Sequence, residues 1–236
     1  IMSSDWSSDV CSSDLAFAGV RKLFLMRPPQ IADVKRYLFP VVDYAETAGV
    51  DQVVFLSLMG AEKNRRVPHH KVERYLERGK APYTLLRPSF YMQNLNTTHR
   101  AEIRDDDEIC VPVGDAKTSF IDVRDIGAVA ARVMTEEGHT NRAYTLTGPE
   151  ALSYHEVAGL FTEVLGREVT YADPSILKFI RSSRTQSIPF KFILVMVGLY
   201  TATRFGTADR VTDTVETLLG RPPIRMRQYI EDYAAA

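Results

Sequence analysis

Residues 52–57 read QVVFLS, four consecutive apolar residues between two polar ones. A strand of this kind has no face suited to water, so it belongs in a sheet covered by helices on both sides. Working outward, similar short runs stand at Leu23–Met26 (LFLM) and at Tyr83–Arg87 (YTLLR). Both are stopped by proline, at Pro28 and Pro88, which cannot donate to a ladder. Between the first two runs, Asp33 to Ala48 carries Val34, Leu38, Val41, Val42 and Ala45 at three- and four-residue steps. This predicts a helix kinked at Pro40 and stopped at Gly49. Between the second and third, His69 to Arg78 is helical in pattern and closes on Gly79. Strand and helix alternate at a step of about thirty residues, which predicts parallel strands joined by helical crossovers and an α/β fold.

Downstream, Phe120–Ile121 begins a strand, Val123–Val133 a helix behind Asp122, and Ala143–Thr147 (AYTLT) another strand. Ser153 with Glu156 spells a capping box before a helix that runs to Leu165 and stops at Gly166. Glu168–Tyr171 is a small strand, and from Pro174 onward the text is mainly helical, including an apolar stretch at 192–200. We place a boundary near Pro149. This separates a sheet domain over 16–149 from a C-terminal lobe over 150–236 that would hold substrate. Residues 1–15 (IMSSDWSSDVCSSDL) repeat Ser-Ser-Asp without helical or strand period and read as a non-native or disordered tail.

The chain has 29 Lys plus Arg against 30 Asp plus Glu, a net charge of −1. That balance excludes a dominant basic footprint, and with it nucleic acid or an anionic membrane as an expected partner. Phe192–Tyr200 is far shorter than the roughly 18 apolar residues of a spanning helix. The two cysteines, Cys11 and Cys110, form neither a disulfide framework nor a metal spacing. The expectation is a cytoplasmic globular protein.

In open parallel sheets, ligands bind beyond the carboxyl ends of the strands. The candidates are therefore Arg27-Pro28-Pro29, Ser57 to Gly60, and Arg87-Pro88-Ser89-Phe90. Lys71, early in the following helix, offers a positive charge and three donors suited to a ribose or a developing oxyanion. Adjacent His69 and His70 project about 100° apart on a helix and do not share a metal. No metal is expected. Asp122, Arg124 and Asp125 read as a cap and ion-pair cluster, and Asp105 to Glu108 as a solvated acidic turn.

Taken together, FLMRPP, VVFLSLMGAE, VPHHKVERYLE, YTLLRPSFYMQN, TSFIDVRDIGAVAA and YTLTGPEALSYHEVA resemble, in order and spacing, the NmrA-like branch of atypical short-chain dehydrogenases/reductases. The resemblance runs from about Ala16 to the C-terminus. It implies a Rossmann-type domain binding NADP or NAD and a small substrate lobe. The implied activity is transfer of hydride to a small carbonyl, quinone or enone. It also implies roles for single residues. Ser57 ends the strand that carries the superfamily's active-site serine or threonine. Lys71 falls on the lysine of the Tyr-x-x-x-Lys pair, with Val67 in place of the tyrosine, which removes the usual phenolic acid. Arg27, Pro28, Pro88, Ser89 and Phe90, together with Ser57 and Lys71, would line the cofactor. Tyr91, Met92 and Asn94 would begin the substrate wall. The alternative is a non-catalytic, dinucleotide-sensing regulator that docks a protein partner. A pocket walled by Tyr91, Met92 and the 190–200 helix would favour the enzyme. No Gly-x-Ser-x-Gly elbow supports a hydrolase.

A dinucleotide fold holds its pyrophosphate with a glycine-rich turn at a helix N-terminus. The thirteen glycines never take that spacing. The resemblance enters at what looks like the family's fourth strand, so the expectation is an incomplete Rossmann-type sheet, N-terminally truncated, with cofactor binding weakened. Leu23–Met26 then becomes an open edge through which the chain would aggregate or oligomerise.

Overall fold

A computed structural model describes residues 17–185 and 189–234; the serine-rich segment 1–15 lies outside them. The chain divides into two compact units, one running to Pro88 and resuming over Ala128–Thr145, the other comprising Ser89–Gly127 and Leu146 onward. This differs from a single cut near Pro149. The chain leaves the first unit after its third strand and returns to add a fourth strand beside it.

The first unit starts with β1 (Lys22–Met26), then α1 (Val34–Tyr37) and α2 (Phe39–Thr47). The expected kinked helix is in fact two helices sharing Leu38 as a cap, with Pro40 in the first turn of α2. Proline lacks the N–H that a continuous helix would need there, and the first turn tolerates the loss. β2 (Gln52–Leu56), α3 (Pro68–Arg78) and β3 (Tyr83–Pro88) follow. β1, β2 and β3 are parallel, with Lys22 opposite Gln52 and Val53 opposite Tyr83.

On one sheet face, Leu25, Val53, Phe55 and Leu85 pack with Val34, Leu38, Val42, Val72 and Leu76 into one core. On the other face Val54 and Leu86 are fully buried, but Phe24 and Met26 of β1 are 39% and 57% exposed. β1 ends the sheet order, so among the described residues its outer backbone edge has no neighbour.

The second unit opens with β4 (Phe90–Tyr91), a 3₁₀ turn (Met92–Asn94), α4 (Arg100–Asp105), β5 (Glu108–Cys110) and β6 (Thr118–Ile121). α5 (Val123–Thr135) leads back to β7 (Arg142–Leu146), the fourth strand of the first sheet, beside β3. Then come β8 (Ala151–Leu152), α6 (Tyr154–Leu165), β9 (Thr170–Ala172), α7 (Ile176–Thr185), α8 (Phe190–Arg204), α9 (Thr214–Leu219) and α10 (Met226–Ala234). The capping box at Ser153 and Glu156 forms, and Gly166 closes α6 in the left-handed conformation that a residue without Cβ adopts freely. β4 pairs with β6, β6 with β8, and β5 with β9 around a core of Met92, Ile109, Phe120, Tyr154, Ile193 and Tyr229. Asp122 is fully buried and takes Arg124, which also reaches Asp232 at 2.5 Å, while Asp125 takes Arg221 at 2.7 Å. The start of α5 is thereby tied to the C-terminal segment of its unit. No helix among the described residues is long and apolar enough to cross a membrane.

Candidate active site

The carboxyl ends of β1, β2 and β3 face the first turns of α3. Val67, extended, precedes Pro68 at the first helical position, and α3 then buries Val72, Glu73 and Leu76. Glu73 is therefore a carboxylate on the apolar stripe of its helix, 1% exposed. Two neighbours from strand ends meet its oxygens. Arg87 donates through Nε at 2.9 Å and Nη2 at 2.8 Å, and Ser57 donates its hydroxyl at 2.5 Å. Burial opposes the charge on Arg87, but Glu73, with Glu62 3.7 Å away, outweighs it and raises the guanidinium's pKa. A buried pair of this kind stands only with good geometry, which the two-point Arg87–Glu73 contact and the Ser57 hydroxyl supply at Glu73. The Ser57 proton is thus directed at Glu73, leaving its oxygen as an acceptor.

Beside this network, Arg27 follows β1 and folds over its own turn. Its Nη1 donates to the carbonyls of Pro28, Pro29 and Ile31 at 3.0, 3.2 and 2.7 Å. Its Nε points at His69 Nε2, 3.4 Å away. A guanidinium has no acceptor, so Nε2 must accept, and the network assigns the imidazole proton to Nδ1. That Nδ1 is buried and has no hydrogen-bond partner among the described residues. Burial first, and the Arg27 charge second, lower the His69 pKa to about 4. His69 is therefore neutral at neutral pH, with a buried N–H that no acceptor among the described residues meets. His70 instead contacts the Ala61 carbonyl through Nδ1 at 2.8 Å, which fastens the loop after β2. Lys71 is exposed and has no ion pair among the described residues.

The other expected site residues fall as follows. Pro28 is exposed, and Pro88 is buried at the end of β3. In the second unit, Ser89 is buried with its hydroxyl unpartnered, while its backbone N–H bonds to Leu146. Phe90 stacks on Tyr200, ring centroids 6.1 Å apart, and burial raises the Tyr91 pKa. Met92 is core, packed with Ile193, Met196 and Tyr200 of α8, so it does not line an open wall with that helix. Asn94 uses its carbonyl to accept from the His99 backbone at 3.0 Å. The first unit thus brings Arg27 together with His69, and Ser57 with Glu73 and Arg87. Sequence reading missed Glu73. Its signal was available, because His69, Val72, Glu73 and Leu76 fall on one helical stripe and a carboxylate there needs a partner. Sequence reading also missed His99, buried between Glu102 at 3.0 Å and the Tyr200 hydroxyl at 2.7 Å.

Residues 7–219 match the NmrA-like family. An NAD(P)H azoreductase of Xenophilus azovorans is 34% identical, the match spanning 94% of this chain and 78% of that protein. The triphenylmethane reductase of Citrobacter sp., solved with NADP(H), superposes with a TM-score of 0.83 at 26% identity, covering 94% of this chain and 79% of that one. The NADPH-dependent quinone oxidoreductase of Escherichia coli shares the fold, with a TM-score of 0.84 at 24% identity over 97% of this chain and 81% of that one. A parallel α/β sheet with this order of elements, and similarity over nearly the whole length, lead to one conclusion: the chain belongs to the NmrA-like family.

Proposed function

We propose that this chain is an NAD(P)-dependent oxidoreductase whose acceptor is a small carbonyl, quinone or enone. Family membership supports the reaction class, and relatives named for azo, triphenylmethane and quinone reduction support a conjugated, electron-poor acceptor. The observation that carries the site is the buried His69 N–H without an acceptor. An unsatisfied buried donor costs about 1–3 kcal/mol, and a ligand acceptor seated there recovers it.

The first unit fits a dinucleotide at this point in its donor set. His69 Nδ1–H, the Arg27 guanidinium and the unpaired Lys71 ammonium suit a ligand rich in carbonyl, hydroxyl and phosphate oxygens. The fit is incomplete on the phosphate side, since no glycine-rich turn of the required spacing exists in the sequence. When bound, the nicotinamide supplies the hydride. Lys71 stabilises the negative charge that develops on the acceptor oxygen. Ser57, its hydroxyl donating to Glu73, steadies the ends of β2 and β3 and offers its oxygen as an acceptor. His69, neutral near pH 7, orients by hydrogen bonding and does not serve as an imidazolium acid. With Val67 in the tyrosine position, the last proton comes from Lys71 or water.

The test is isothermal titration of the purified chain with NADPH and, separately, NADH, followed by NADPH-consumption assays on quinone and enone acceptors. Binding of either nucleotide that is weakened about tenfold by His69→Ala is expected from one lost hydrogen bond near 1.4 kcal/mol. Absence of heat with both nucleotides refutes the reading.

A further inference from the structure

Among the described side chains, the outward face of α8 is apolar from Phe190 to Ala202. Its inward positions Ile193, Met196 and Tyr200 are buried in the core of the second unit. The opposite side presents Phe190, Leu194, Gly198 and Ala202 at four-residue steps, flanked by Val195 and Leu199, and all six are exposed. A contiguous exposed apolar face is covered in the functional state, because such a surface in water is unfavourable. The apolar surface continues onto the neighbouring elements: Leu177 on α7 and Phe205 just after α8 are each 80% exposed.

The charge around this surface is one-sided. From Pro174 to Ala208 the sequence contains Lys178, Arg181, Arg184, Lys191 and Arg204 and no Asp or Glu, although the whole chain is at −1. Arg204 pairs with Asp173 at 3.2 Å, and Arg184 lies over the Phe190 ring at 5.5 Å. Lys178 and Arg181 are exposed, with no ion pair among the described residues. The near-zero net charge hides this segregation, which is why composition alone excluded a membrane partner.

Three occupants suit an apolar helix face, and the observations separate them. A small molecule needs a concavity. A helix face turned away from the core of its own unit is convex and by itself supplies none. A second copy joined by a two-fold axis would set the same patch against itself, bringing Lys178, Arg181 and Arg184 toward their own images with no acid to meet them. An anionic lipid surface satisfies both features at once, taking the apolar side chains into the acyl boundary and the cations among the headgroups. We propose that α7 and α8 form an interfacial docking surface for an anionic bilayer, lying on the membrane without crossing it.

The experiment is flotation of the full chain with vesicles of phosphatidylcholine alone and of phosphatidylcholine doped with phosphatidylserine, at low and high salt. Expected is recovery with the anionic vesicles only, suppressed by salt. Arg181→Gln should weaken the partition about fivefold, the contribution of one cation at the surface. Val195→Glu should weaken it by about tenfold or more by placing a charge on the buried face. Both positions are exposed, and unchanged circular dichroism melting confirms that the variants are folded. No recovery with anionic vesicles at low salt overturns the proposal, as does equal, salt-insensitive recovery with neutral ones. Concentration-dependent self-association that Val195→Glu abolishes, without vesicle binding, also overturns it and assigns the face to a second copy. None of these readouts depends on nucleotide binding or turnover.

Discussion

His69 in the first unit and His99 in the second both keep ring nitrogens away from water, but their surroundings differ. His99 is bracketed on both nitrogens, by Glu102 at 3.0 Å and by the Tyr200 hydroxyl at 2.7 Å. His69 has a cation on one nitrogen and, among the described residues, no hydrogen-bond partner on the other. The first arrangement is closed, because each polar atom is matched within its unit and the side chain reinforces packing. The second is open, because the protein supplies burial and a positive neighbour but leaves a donor unmatched. Burial of a titratable group does not distinguish function from architecture; the unmatched atom does. Beside His69, Glu73 itself is closed in the same sense, since Ser57 and Arg87 take its two oxygens, which makes it the support of the open site.

The comparison breaks first at Glu73. If the network is closed, Glu73→Ala leaves Arg87 as a largely buried cation without its bidentate partner and Ser57 without an acceptor. The expected destabilisation is about 3–5 kcal/mol by urea denaturation, the usual penalty for breaking one side of a buried pair. Replacing both partners, Glu73→Met with Arg87→Met, should recover a substantial part of it. A loss below about 1 kcal/mol for the single variant means that the pair is not desolvated in solution.

The open histidine is read next, through pH. Its folded pKa is lowered to about 4, below the ordinary value of 6.5. The unfolded chain therefore binds the proton more readily, and the folded state loses stability as pH falls from about 6.5 toward 4. The expected loss is about 2–3 kcal/mol over that window, because a displacement of about 2.5 at about 1.4 kcal/mol per pH unit is only partly expressed by pH 4. Measured as the difference between wild type and His69→Gln, this isolates the imidazole from the carboxylates that titrate below it. Parallel curves for the two proteins would show that His69 is solvated.

Tyr200→Phe tests the closed counterpart. It keeps the ring that packs on Phe90 and Phe179 and removes only the partner of His99 Nε2. The expected cost is about 1–2 kcal/mol in thermal or urea melts. A neutral result would mean that His99 finds another partner, and the contrast with His69 would weaken.

Much of this frame was legible in the sequence. The strands at LFLM, QVVFLS and YTLLR stand within one or two residues of expectation because their signal is local, an apolar run ended by proline or a polar residue. The same is true of the Ser153–Glu156 box and the Gly166 stop, whose donors and acceptors lie within one turn. What escaped depends on partners far along the chain. β5 finds β9, with Glu108 opposite Thr170, and three-residue strands carry no periodicity of their own. Glu73 meets Ser57 and Arg87 from separate strands. Lys71 was legible as a residue type at a family position, and Arg27 and Ser57 as strand ends, but their hydrogen-bond commitments were not. The one-sided charge of 174–208 was visible in the text, yet composition averaged it away.

The smallest structural effect is expected at Lys71, and there the open and closed sites should separate most clearly. Lys71 is exposed and unpaired among the described residues, so Lys71→Met should shift unfolding free energy by no more than about 0.5 kcal/mol, as for surface positions without a named interaction. If Lys71 stabilises charge on the acceptor oxygen, the same variant should lower turnover by roughly 100-fold or more, the scale of one lost charge-stabilising donor. Glu73→Ala should do the reverse in kind, lowering stability steeply and activity only through the fraction that remains folded. A Lys71→Met protein that melts and turns over like wild type would move the chemistry to His69 and Arg27, leaving the lysine a solvated helix residue.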